Sequence, residues 1–307
     1  MMISTPNATL PIFLGCPVWA CGQWSGEVYP ARTPRKDWLH WYARTFNTVE
    51  GNSTFYALPA PEAILRWVEQ TPDSFRFALK FPRTISHELE LEHAQAATRE
   101  FLSRIEPLRE ASRLGPTFLQ LGPRFGPDRL PVLARFLQRL PRDFAWAVEL
   151  RHHDWFDSGD NEKQVNDLLR HLGIDKVLFD SRPLFQAPPD DEIEKVSQQR
   201  KPRTPVRQTV TGKHPMLRLV GRNRVELTDQ FLNQWVPIIA GWFKQGLEPY
   251  VFTHAPDDKF AVAFARRLAE QLKTQLPDTD CSIPWPPAPV RQLSLLNEGS
   301  SESGSES

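Results

Sequence analysis

Short apolar runs and longer amphipathic stretches alternate along the chain. Ile12-Phe13-Leu14-Gly15-Cys16, Phe46 to Glu50, Phe75 to Lys80, Thr117 to Leu121, Ala145 to Glu149, Lys176 to Asp180, Met216 to Val220 and Pro249 to His254 are brief and rich in β-branched or aromatic residues, so they read as eight strands. Between them, apolar residues recur at helical spacing. Trp38, Leu39, Trp41 and Tyr42 follow the cap and proline at Thr33-Pro34, and Ile64, Leu65, Trp67 and Val68 share one face of Pro61 to Gln70. Leu91 to Leu114 carries Ala94, Ala97, Phe101, Ile105 and Leu108 inward and stops at Gly115, and a fourth helix spans about Asp128 to Leu140. Asn161 to Leu172, a Thr228-capped segment with Phe231, Leu232, Trp235, Ile238, Ile239 and Trp242, and Asp257 to Lys273 complete the set.

Eight strands alternating with helices predict a (β/α)8 TIM-type barrel, a single domain over residues 1–276 with the barrel proper at about 12–272. An open doubly wound sheet is the runner-up, but no Gly-rich phosphate fingerprint follows strand one. Parity fits a closed sheet: Ala145, Ala147 and Glu149 alternate with Trp146 and Val148, so the face with small residues ends in a charge. Residues 181–215, rich in Pro, Gln, Lys and Arg with a short helix around Asp191 to Gln198, are too long for a βα connection and read as a mobile excursion over one face. Residues 277–307, Pro-rich and then Ser, Glu and Gly, read as a flexible tail.

Composition narrows the class. The 307 residues are 40% hydrophobic and 24% charged, with 37 basic and 37 acidic side chains, so no global field draws the chain to nucleic acid or an anionic membrane. Three cysteines, Cys16, Cys21 and Cys281, make neither a disulfide framework nor a zinc motif and fit a reducing cytoplasm. The segment from Leu10 to Trp19, broken by Pro11 and Pro17, is expected to be neither a signal peptide nor a membrane span.

The chemistry sits at the strand ends. Glu50, Lys80, Gln120, Glu149, Asp180, Arg218 and His254 close seven of them, and His87, Arg151 and His152 follow just beyond. In a barrel, these positions converge on the C-terminal mouth, where opposite charges shift each other's pKa values. Phe46-Asn47-Thr48-Val49-Glu50-Gly51-Asn52-Ser53-Thr54-Phe55-Tyr56 adds an amide, hydroxyls and aromatics to the second of these ends.

That stretch, with Trp24-Ser25-Gly26, Tyr29-Pro30, Phe77-Ala78-Leu79-Lys80, Ile85-Ser86-His87, Leu119-Gln120-Leu121, Val148-Glu149-Leu150-Arg151-His152 and Trp155, resembles the YecE-like family, domain of unknown function seventy-two, over about residues 12–272. The resemblance implies a TIM-type barrel and little about reaction. Relatives usually carry His-Gly after strand seven and Asn-Asn-His after strand eight; here Val220-Gly221 and Phe252-Thr253-His254 stand there, so part of the usual polar rim is missing.

Three functions compete. The first-ranked is a metal-free enzyme, a hydrolase, lyase or isomerase acting on a small polar, sugar-like or phosphorylated molecule. Its catalytic set is Glu149 as general acid or base, Glu50 as its partner, Lys80 as electrostatic stabiliser or amine nucleophile, and His254. Asn52, Tyr56, His87, Gln120, Arg151, His152, Trp155, Asp180 and Arg218 are its substrate-binding candidates. The second is a metal-dependent isomerase or endonuclease-like phosphodiesterase, with Glu50, Glu149, Asp180 and His254 around a divalent ion; Lys80, Arg151 and Arg218 compete for the same carboxylates. The third is a module binding single-stranded nucleic acid or sugar on Trp19, Trp24, Phe55, Tyr56 and Trp155. Gly221-Arg222-Asn223-Arg224 is a further phosphate candidate, opposed by Asp257 and Asp258, which either repel an anion or simply cap the last helix, and the basic run Gln199 to Arg207 is either a solvated loop or a cover over an anionic ligand.

Overall fold

The computed structural model describes residues 12–277, so Cys281 and the expected tail lie outside the described residues. All eight strands form where the apolar runs placed them: β1 Phe13–Gly15, β2 Thr48–Gly51, β3 Arg76–Leu79, β4 Thr117–Gln120, β5 Trp146–Glu149, β6 Asp175–Asp180, β7 Met216–Val220 and β8 Tyr250–His254. The helices are α1 Trp38–Thr45, α2 Ser53–Tyr56, α3 Pro61–Gln70, α4 Gln95–Glu110, α5 Leu130–Gln138, α6 Asp160–Leu172, α7 Arg182–Phe185, α8 Glu192–Arg200, α9 Asp229–Lys244 and α10 Ala261–Gln275. The fourth is shorter than its apolar spacing suggested, because its first turns are taken up by irregular backbone with positive φ at Glu90, Leu91 and His93.

The strands do not close into the expected TIM-type barrel. Six parallel strands in the order β1-β8-β7-β6-β5-β4 form an open, curled half-barrel, and β2 and β3 pair separately as a two-stranded parallel sheet. The physical reason is visible at both seams. Between β1 and β2, side chains take over most of the backbone ladder, of which the bond from Glu50 N to Cys16 O at 3.1 Å remains: Asn47 accepts from Leu14 N and donates to Ile12 O, and the Tyr42 hydroxyl accepts from Cys16 N and donates to Thr48 O. The two backbones approach so closely there that a Cβ on Gly15 would lie 2.1 Å from Thr48 O. Between β3 and β4, contact is reduced to isolated bridges at Phe77–Leu114 and Lys80–Phe118.

The parity expectation holds. Trp146 and Val148 join the main core between strands and helices, whereas Phe13, Ala78, Phe118, Ala147, Val177, Met216, Tyr250 and Phe252 form a separate cluster in the concave interior, with Phe13 and Tyr250 stacked at 4.3 Å. This apolar plug is the floor on which the polar strand ends stand.

The expected excursion is an ordered cover rather than a loose one. Within α8, Glu194 is fully buried and accepts from Arg222 Nε at 3.1 Å, Arg222 Nη2 at 2.5 Å and the Asn223 amide at 2.9 Å. One turn on, Gln198 donates to the carbonyls of Leu184 and Ala187. Arg207 pairs with Glu162 at 2.8 Å and donates to Phe156 O. In the Gly221-Arg222-Asn223-Arg224 turn, Arg222 therefore spends its charge on anchoring the excursion, lying also 3.0 Å from Asp190, and Arg224 pairs with Glu226 at 3.2 Å, so the turn is not an open phosphate site. Asp257 caps as expected, accepting from Lys259 N.

Candidate functional site

Parity on β2, β5, β7 and β8 sends Glu50, Glu149, Arg218 and His254 upward from the plug, and all four are buried. Arg218 stands between the carboxylates. Its Nε and Nη2 donate to the two oxygens of Glu50 at 2.8 and 2.7 Å, a bidentate pair, and its Nη1 donates to Glu149 Oε2. The guanidinium lies 5.3 Å above the Phe118 ring and 5.6 Å from that of Phe179. Arg151 donates to the other oxygen of Glu149 at 2.6 Å. Asn52 donates to Glu50 Oε1 at 2.7 Å, and His254 Nε2 stands 3.0 Å from Glu50 Oε2.

Burial alone would raise both carboxylic acids, but the adjoining cations overcome it. Arg218 holds Glu50 well below the usual range, and Arg218, Arg151 and Lys80 bring Glu149 down to about 2. In turn Arg218, despite its burial, is pushed up by both carboxylates. Burial lowers His254 to about 4 against the pull of Glu50, so its ring is neutral at pH 7, with Nε2–H donated to the carboxylate.

Lys80 is different. It is 7% exposed, yet its amine has no hydrogen-bond or ion-pair partner among the described residues, and its one close neighbour is the face of Phe55, 4.0 Å away. Burial, reinforced by the positive charge of Arg218, lowers its pKa to about 7. A substantial share of the amine is therefore unprotonated at neutral pH.

Above this layer lies a cavity of about 880 Å3. Lys80, Arg218, Arg151, Gln120 and His254 form its base; Asn52, Phe55, Tyr56, Arg83 and His87 form one wall, and Ile193, Val196, Ser197, Arg200 and Lys201 from α8 and its end form the roof. His87 sits in the helical turn Thr84–Glu88, 2.8 Å from Ser86 Oγ, and burial and the Lys80 charge lower its pKa. Tyr56 is 79% exposed at the rim.

Ten of the thirteen residues expected at the site are thus in or directly beneath one cavity, and three are not. Asp180 lies on the opposite face of β6 from Val177, where it accepts from Arg182 and from Trp235 Nε1 at 2.8 Å. His152 caps the turn after β5, accepting from Asp154 N, and Trp155 is fully buried, donating to Phe125 O at 2.8 Å. The expected four-ligand metal set does not converge: Asp180 faces away, and the oxygens of Glu50 and Glu149 are occupied by Arg218 and Arg151. Among the described residues no three His, Cys, Asp or Glu side chains gather as ion ligands. The aromatic platform is likewise reduced to Phe55 and Tyr56, since Trp24 is fully buried with its indole N–H on Asp258 O, and Trp19 packs edge-on to Trp67. Arg200 and Lys201, from the basic run Gln199 to Arg207 named in the sequence, also line the cavity, and so does Arg83, which strand ends do not point to because it stands at the start of the helical turn Thr84–Glu88.

No helix is long and apolar enough to cross a membrane. A family model described as protein of unknown function DUF72 matches residues 13–289. The chain is 40% identical over 285 residues to the UPF0759 protein YecE of Escherichia coli K12, covering 93% of this chain and all of that protein. It is 25% identical over 150 residues to the UPF0759 protein YunF of Bacillus subtilis, covering 47% of this chain and 52% of that one. Crystal structures of DUF72 family proteins from Thermotoga maritima and Enterococcus faecalis superpose with TM-scores of 0.65 and 0.63. Their identities are 25% and 20%, they cover 87% and 88% of this chain, and they are themselves covered over 100% and 99% of their lengths.

Proposed function

The chain belongs to the DUF72 family, and we propose that it is an enzyme that performs proton-transfer chemistry on a small polar, sugar-like or phosphorylated substrate, with the Lys80 amine as the working group. One observation carries this reading: the two carboxylates directly beneath the cavity, Glu50 and Glu149, are tied up by guanidiniums, while the Lys80 amine at its base is buried, unpartnered and lowered to about 7. A general acid or base works best with a pKa near the operating pH, which Lys80 meets and which Glu149, at about 2, does not. Glu50 and Glu149 then act as positioning residues that hold Arg218 and Arg151 where their charge suppresses the Lys80 proton. His254, neutral and bonded to Glu50, offers its ring to the same space without adding charge.

Desolvating an ammonium costs stability, and a side chain kept in spite of that cost points to use. Lys80→Met keeps the length and removes the charge. The expected outcome is a gain in unfolding free energy on the order of 2 kcal/mol, together with a loss of turnover of about a hundredfold or more. Denaturant titration and assay of both proteins against a panel of small phosphorylated and sugar-like compounds check this. A variant as active as the wild type sinks the reading.

A further inference from the structure

The roof of the cavity has its own logic. On α8, Glu194 and Gln198, one turn apart, clamp the helix to the body of the protein. A second stripe, Ile193, Val196, Ser197 and Arg200, lines the cavity, and so does Lys201, the extended residue that ends the helix. Those spacings of three, one and three put the four helical residues on one face, about a third of a turn round from Glu194 and Gln198. The stripe is apolar at its first turn and basic at its end. Lys201 is half-buried there, with no ion pair or hydrogen bond to its amine among the described residues. It feels the same groups as Lys80: burial lowers it to about 8, and the charges of Arg218 and Arg151 add to that. Around the cavity and directly beneath it, six basic side chains, Lys80, Arg83, Arg151, Arg200, Lys201 and Arg218, face four carboxylates, Glu50, Glu149, Glu192 and Asp258, which leaves basic groups two in excess.

We propose that Lys201, delivered by the excursion, and Lys80, delivered by the end of β3, form the two sides of a binding site for the phosphate dianion of a phosphorylated small molecule. A dianion matches the excess charge and satisfies both amines at once, and charge-assisted hydrogen bonds to a buried phosphate are among the strong ones. The apolar turn of α8 at Ile193 and Val196, across from Phe55 and Tyr56, leaves the remainder of the ligand a less polar place to lie. The proposal rests on the reading of this cavity as a substrate site and specifies which end of the substrate enters it.

The test uses the full chain and inorganic phosphate as the probe, titrated calorimetrically at pH 7 and low salt, with malonate as the carboxylate comparison. Wild type is expected to bind phosphate, and Lys201→Met to weaken it by at least about tenfold, the loss of one charge-assisted hydrogen bond. Malonate is expected to bind at least about tenfold more weakly than phosphate. Lys195→Met, whose amine pairs with Glu192 at 3.1 Å on the exposed side of α8, is the control for general loss of positive charge and is expected to bind as wild type. Absence of phosphate binding in wild type, equal binding by Lys201→Met, or malonate binding as tightly as phosphate would each overturn the assignment. Should phosphate bind through Lys201 while Lys80→Met remains fully active, this site stands and the catalytic reading falls; the reverse result separates them the other way.

Discussion

Glu149 illustrates how a residue correctly placed can have a different task from the one its chemistry suggests. As a carboxylate at a strand end it reads as a general acid or base, yet it accepts from both Arg218 and Arg151 and is held ionised far below neutrality. Glu149→Gln would leave buried Arg218 and half-buried Arg151 short of a counter-charge, so a loss of about 3 to 5 kcal/mol in denaturant unfolding is expected. A stability equal to wild type would show that the ion cluster is not structural. His254 makes a pH-dependent prediction. Its folded pKa of about 4 lies below the ordinary 6.5, so between those values the unfolded chain binds a proton that the folded one refuses. Stability therefore falls as pH drops from above 6.5 toward 4, by about 3 kcal/mol in total from this group. Glu50 and Glu149 begin to lose theirs only below the usual glutamate range. In His254→Asn, where an amide still donates to Glu50, the slope between pH 6.5 and 4 should flatten; an unchanged slope would remove His254 as its source. Most of these residues were legible because strand parity and strand ends can be read in sequence. Asp180 was misplaced though its own parity, even where Val177 and Phe179 are odd, holds it off the interior. That Arg218 would lie between the two glutamates was not legible, since it depends on which strands stand opposite across the curled sheet.

Among the elements, the excursion departs furthest from its sequence reading. Pro, Gln, Lys and Arg in abundance suggest a solvated segment, yet long-range pairs fasten it, foremost that of the buried Glu194 with Arg222, 28 residues away. No local pattern announces a contact of that kind. The consequence can be measured: Glu194→Gln removes the negative charge that holds Arg222, and backbone amides from about 186 to 213 should then exchange with solvent markedly faster while those of β7 and β8 do not. Unchanged protection in this segment would mean that the remaining contacts of α8, not the buried pair, set its position. The helices packed behind the sheet were easier to foresee, because Trp235, Ile239, Leu268 and Leu272 follow helical spacing and bury together.

For the whole molecule, the order and number of strands were written in the alternation of apolar runs, but closure was not. Whether neighbouring strands complete a ladder depends on a close approach such as that of Gly15 to Thr48 and on side chains, Asn47 and Tyr42, taking the place of backbone partners, and neither has a signature in hydropathy. The equal totals of acidic and basic residues were equally silent about the mouth, because a balanced chain can still gather a local excess. That excess is built from β3, β5, β7 and the end of α8 together, and the protonation of Lys80 reports it directly. The most direct measurement is therefore an NMR titration of the lysine side-chain carbons and nitrogens, with Lys80→Met to assign the signal. A midpoint of about 7 for Lys80 is the expected result, from burial beside Arg218; a midpoint near the ordinary 10.5 would show that the amine is neither dehydrated nor crowded by Arg218, and would contradict the functional account at its centre.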